Sequence, residues 1–129
     1  MAQEKSKTFL GLRTTIYTVS DIKKGKEWYS KVLGIQPYFD EPFYVGFNVA
    51  GYELGLQPEE RPKTKGDGVS TYWGVDDVEK TYKLLLELGA TEHAAPQDVG
   101  GEIIVATVND PWGNIFGIIK NPHFKLEIN

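Results

Sequence analysis

Asp110-Pro111-Trp112-Gly113-Asn114-Ile115-Phe116, near the end of a 129-residue chain, is a turn that runs into a strand. Asp can accept nearby backbone N–H groups, Pro sets φ, and Gly permits a positive φ. Outward from this turn the spacing predicts strands over residues 114–120, 102–108 and 91–95. Before them lies a helix with Val78, Tyr82, Leu85 and Leu88 on one face, capped by Asp76 or Asp77 and closed by Gly89. A further strand, residues 69–75 (VSTYWGV), precedes the helix. The same order fills the first half. Residues 11–19 (GLRTTIYTV) read as a strand. Asp21 caps a helix carrying Ile22, Trp28, Tyr29, Val32 and Leu33, and Gly34 ends it. Strands are predicted over 36–39, 44–49 and 52–57, with Ala50-Gly51 as a tight hairpin link.

Val19-Ser20-Asp21-Ile22 aligns with Val75-Asp76-Asp77-Val78, and Leu33-Gly34 with Leu88-Gly89. The offset is 56 residues at the helix starts and 55 at the helix ends. A shared order of elements at a near-constant offset indicates an internal duplication. The chain therefore reads as one domain, residues 1–129. Module one covers about 9–57, a charged Pro/Gly linker 58–68, module two about 69–120, and a tail 121–129.

Composition narrows the function. The absence of Cys excludes disulfides, thiolate metal sites and cysteine nucleophiles. With only His93 and His123, a metal site would have to be rich in carboxylates. A net charge of −4 argues against sequence-independent nucleic-acid binding. No apolar run is long enough to span a membrane. Met1-Ala2-Gln3-Glu4-Lys5-Ser6-Lys7 is too polar for a secretory core. The expectation is a soluble cytoplasmic protein with neither nucleic-acid nor membrane partner.

A duplicated βαβββ unit resembles the vicinal oxygen chelate superfamily, which includes glyoxalase I, bleomycin-resistance proteins, extradiol dioxygenases and fosfomycin-resistance enzymes. The turn at Asp110 is similar to the family's Asp-Pro-x-Gly-Asn turn before the last strand. Trp28-Tyr29-Ser30-Lys31-Val32-Leu33-Gly34 resembles its first helix. The resemblance covers about residues 9–120. It implies an α+β fold, in which tandem modules form curved mixed sheets around a concave cavity. It also implies a small-molecule ligand and a homodimer. Strand alternation then puts Leu54, Leu56, Phe116 and Ile118 toward helices, and Glu53, Gly55, Gln57, Ile115, Gly117 and Ile119 toward the cavity.

Metal-using members carry His and Glu ligands at one cavity-facing position on four strands. The resemblance puts Thr14, Gly55, Ser70 and Gly117 there, a set unable to hold a divalent cation. No metal and no cofactor is expected. His93 reads as an edge residue and His123 as a tail residue. Glu53 is a candidate general base if a dry site raises its pKa. Ser70 has no histidine predicted beside it, so no nucleophile triad is supported. Most of the sixteen Phe, Trp and Tyr residues belong to the core, but Tyr38, Phe43, Phe47, Tyr72 and Trp112 are expected at the cavity. The candidate binding set is thus Thr14, Phe47, Glu53, Gln57, Ser70, Tyr72 and Trp112. An apolar cavity with a few polar groups suits a small organic molecule, aromatic or cationic. This favours a metal-free binding protein of the glyoxalase or bleomycin-resistance type over an enzyme. The alternatives are a metal-dependent lyase, isomerase or dioxygenase with a displaced site, and a non-catalytic dimeric interaction module.

Overall fold

The computed structural model describes residue 8, residues 12–59 and residues 71–123. Most of the predicted linker, the N-terminal residues, Ser70 and the end of the tail lie outside the described residues. Ten elements follow the duplicated order: β1 (Thr14–Val19), α1 (Ile22–Leu33), β2 (Phe39–Glu41), β3 (Tyr44–Val49), β4 (Tyr52–Pro58), β5 (Tyr72–Gly74), α2 (Val78–Glu87), β6 (Thr91–Asp98), β7 (Ile104–Asn109) and β8 (Ile115–Lys120). They make two four-stranded sheets with the same topology, β1-β4-β3-β2 and β5-β8-β7-β6. In each sheet the first strand pairs parallel with the last, and the remaining pairs are antiparallel.

Both helices begin as their sequences require. Asp21 accepts the N–H of Lys24, and Asp77, rather than Asp76, accepts that of Lys80. Gly34 ends α1 in a left-handed conformation at φ 71°. Between β3 and β4 the two-residue link places Ala50 at φ 52° and Gly51 at φ 94°, the signs of a primed hairpin turn.

Strand limits differ from expectation where local chemistry intervenes. β2 begins at Phe39 because Pro37 has no N–H to donate, and Tyr38 N–H makes the first cross-strand bond, to the Gly46 carbonyl. β6 runs on to Asp98 through Pro96, which is tolerated because β6 pairs with β7 alone. β7 starts at Ile104, since Gly100, Gly101 and Glu102 all turn at positive φ before it.

Each sheet has one helix-covered face. Tyr17, Val19, Val45, Phe47, Leu54 and Leu56 bury their side chains there in module one, and Ala106, Val108, Phe116 and Ile118 in module two. The two cores are continuous. Tyr17 stacks on Tyr29 of α1 at 5.9 Å, and both rings meet Phe116 of β8. Side-chain hydrogen bonds cross between modules, among them Tyr29 to Asp110, Asn114 to the Thr18 carbonyl, Trp73 to the Tyr17 hydroxyl, and Trp28 to the Leu88 carbonyl. The modules therefore pack against each other within one chain, and neither described helix covers their opposite faces.

Candidate functional site

The helix-free face of module one is built around Glu53. Its strand alternates: Leu54 and Leu56 enter the core, so Glu53, Gly55 and Gln57 face the other way. Register sets Thr14 beside Glu53 and Ile16 beside Gly55 on β1, and Gly46 beside Gly55 on β3. Thr14 Oγ1 donates to Glu53 Oε1 at 3.0 Å, and the Tyr38 hydroxyl to Oε2 at 2.7 Å. The Tyr44 hydroxyl lies nearby and also favours the charged carboxylate.

This arrangement depends on two glycines. A β-carbon at Gly46 would come within 2.6 Å of Glu53 Oε2. One at Gly55 would come within 2.6 Å of Tyr44 Cζ. Glycine thus leaves the space that the carboxylate and the ring occupy.

The donors decide the charge state. The Tyr38 hydroxyl acts most strongly, holding the Glu53 carboxyl below the usual range against the opposing effect of burial; Tyr44 and Thr14 add to it. The general-base reading of Glu53 required the opposite shift, so this residue is a held anion. Burial and the neighbouring carboxylate push the Tyr44 hydroxyl up to about 12.

Module two carries the counterpart. Tyr72 pairs with Gly117 on the helix-free face and is 40% exposed. Its ring lies over that glycine, where a β-carbon would meet Tyr72 Cδ1 at 2.7 Å. Ile115 and Ile119 flank Gly117 on the same face, half-buried.

Of the predicted residues, Thr14, Glu53, Gln57 and Tyr72 lie on the helix-free face, and Ser70 lies outside the described residues. Two are corrected. Phe47 is fully buried in the core, because it shares the parity of Val45 on β3. Trp112 packs edge-on against Trp28 of α1 at 6.1 Å, because Asp110 Oδ1 pins its N–H and turns the loop toward the helices. Tyr38 and Tyr44 are the site residues that strand alternation alone did not connect to Glu53. The signal available for them was the pair of glycines they cover.

Three of the four positions at which the resemblance implies metal ligands are described, and they do not fit a cation. Thr14 gives its hydroxyl to Glu53, and the places at Gly55 and Gly117 are filled by tyrosine rings. Among the described residues no group of three His, Asp or Glu converges on one point. No described helix is long and apolar enough to cross a membrane.

Known proteins share this architecture. A glyoxalase-related enzyme from Fulvimarina pelagi superposes with a TM-score of 0.78 over 92% of this chain and 94% of its own, at 15% identity. A glyoxalase/bleomycin resistance protein/dioxygenase family enzyme from Burkholderia phytofirmans PsJN does so with a TM-score of 0.73 over 83% and 95%, at 22% identity. YurT of Bacillus subtilis (strain 168) is 35% identical over 78 residues, 54% of this chain, and the match spans 61% of YurT's length. The pattern of the Glyoxalase/Bleomycin resistance protein/Dioxygenase superfamily runs through residues 11–118, both modules and the Asp110 turn included, and the chain belongs to that superfamily.

Proposed function

We propose that the protein binds a small organic cation on its helix-free face, without a metal, and that binding rather than turnover is its task. The observation that carries this reading is the Glu53 carboxylate, kept ionised by the Thr14 and Tyr38 hydroxyl donors with the Tyr44 hydroxyl near them. A carboxylate offers about four acceptor positions, more than the two observed donors occupy, which leaves room for a ligand. Ile16, 47% exposed beside Gly55, and the Tyr44 ring supply apolar surface around it. Aromatic faces and a carboxylate together favour a flat or quaternary cation.

The test uses phenyltrimethylammonium. Calorimetry should show one saturable site, and a hundredfold excess over Kd should stabilise the protein by about 2.7 kcal/mol. Glu53→Gln should weaken binding at least tenfold. Equal affinity in that variant would sink the proposal. The superfamily's dimeric habit is proposed for this chain as well. A native mass of twice 14.5 kDa would support it, and a monomer at working concentration would refute it.

A further inference from the structure

The modules are duplicates whose helix-free faces have diverged. Register places Ile16, Gly55 and Gly46 in one row of module one. The equivalent row of module two is Tyr72, Gly117 and Thr107. Over Gly46 lies the Glu53 carboxylate. At the equivalent Thr107 the hydroxyl is 2.8 Å from His93 Nδ1.

Strand pairing explains how His93 gets there. Glu92 pairs with Val108 and Ala94 with Thr107, and the register shifts between them. His93 is the extra residue of a β-bulge, a device that re-aims a side chain. Ala106 and Val108 point into the core, so the Thr107 side chain, and the imidazole bound to it, belong to the helix-free face. Thr107 is only 6% exposed, so its hydroxyl is a fixed anchor. An imidazole held at one nitrogen presents the other in a set direction. His93 Nε2 has no hydrogen-bond partner among the described residues.

Tyr72 is on β5 with its ring over Gly117 of β8, and Thr107 is on the next strand. At about 4.8 Å per strand, the ring over Gly117 and the imidazole bound to Thr107 stand roughly one strand spacing apart, side by side in one strip of the helix-free face. Glu92, the acidic neighbour in sequence, pairs with Val108, whose side chain enters the core, and so faces the other side.

We propose that this strip is a second subsite, for the acidic end of a small aromatic molecule. The ligand's ring lies against Tyr72, and its carboxylate or phenolate accepts from His93 Nε2. When the Thr107 hydroxyl donates to Nδ1, the neutral imidazole carries its proton on Nε2 and donates outward. The imidazolium does the same with charge added. The duplication has thus produced complementary halves, an anion in module one and a donor in module two.

Benzoate is the probe, and benzamide its uncharged counterpart. The folded, full-length protein is labelled for imidazole NMR and titrated with each. Benzoate should shift the His93 ring resonances saturably. Those of His123, whose Nε2 is bound to the Gly101 carbonyl, should stay in place. Benzamide should bind at least fivefold more weakly. His93→Gln, an exposed strand position, should weaken benzoate at least fivefold and leave phenyltrimethylammonium binding unchanged. Absence of benzoate binding, benzoate binding without a His93 shift, or equal affinity in the variant would each overturn the proposal. Loss of phenyltrimethylammonium binding alone would count against the Glu53 site and leave this one standing.

Discussion

The Tyr29 hydroxyl donates to Asp110 Oδ2 at 2.7 Å, joining the first helix of module one to the last turn of module two. Asp110 is 3% exposed and also accepts from Trp112 N, Asn114 N and Asn114 Nδ2. Asn114 Nδ2 in turn reaches the Thr18 carbonyl of β1. One buried carboxylate therefore shapes its own turn and ties the modules together. Tyr29→Phe should cost about 1.5–3 kcal/mol, the usual worth of a bond to a charged group. Asp110→Ala should cost more, since it leaves several buried donors without a partner. Urea denaturation checks both; an unchanged midpoint for Tyr29→Phe would refute the coupling.

Gly55→Ala and Gly117→Ala should both destabilise, by about 1–3 kcal/mol for overpacking, but only the first should be rescued. At Gly55 all three nearest atoms to an added β-carbon belong to the Tyr44 ring. At Gly117 the nearest is the Thr71 carbonyl oxygen of the backbone, at 2.6 Å, which also accepts the Gly117 N–H. A double-mutant cycle with Tyr44→Ala should therefore recover most of the Gly55→Ala loss. The same cycle with Tyr72→Ala should recover little of the Gly117→Ala loss.

Ala50 sits at φ 52° in the β3–β4 turn, where a β-carbon is unfavourable. Ala50→Gly should stabilise by about 0.5–1 kcal/mol net, because the relief of about 1–2 kcal/mol of left-handed strain exceeds the about 0.5–1 kcal/mol of extra backbone entropy that glycine loses on folding. Ala50→Asn should do at least as well, as primed turns favour Asn. Thermal melts of the three proteins decide it.

Acid should affect the cation site late. The Glu53 pKa is lowered in the folded protein, so the stability it contributes is present above the unfolded carboxyl value, near 4.3, and is lost as pH falls through the folded value. Phenyltrimethylammonium affinity should accordingly stay level from pH 8 to about 5 and fall only below the ordinary carboxylate range. A midpoint at pH 6 or above, measured by calorimetry across pH, would contradict the held-anion geometry.

Alkali should act in the opposite sense. Burial pushes Tyr17 and Tyr44 up to about 12 and Tyr29 well above 10. Raised folded values mean stability that is complete below the unfolded tyrosine value, about 10, and that drains away as pH rises through the folded ones. Spectrophotometric titration should show these three tyrosines ionising last, together with unfolding.

How far the sequence reached follows from what each feature depends on. The helix caps Asp21 and Asp77, the Ala50-Gly51 hairpin and the inward parity of Leu54, Leu56, Phe116 and Ile118 are local matters, set within a few residues. Period-two alternation on β4 likewise put Glu53, Gly55 and Gln57 on the helix-free face. Phe47 and Trp112 were misplaced because an aromatic ring suits a cavity and a core equally well; parity with Val45 and the edge of Trp28 decided them.

The sequence by itself determined the duplicated order of elements and the poverty of metal ligands, because both reside in residue identity and spacing. The tertiary structure alone decided what replaced those ligands. Tyr38, Tyr44 and Thr14 reach Glu53 from three separate segments, and His93 reaches Thr107 through a bulge visible only once β6 is paired with β7. Such contacts depend on strand register, which is settled by burying one whole face of each sheet at once, and no local stretch of residues encodes it.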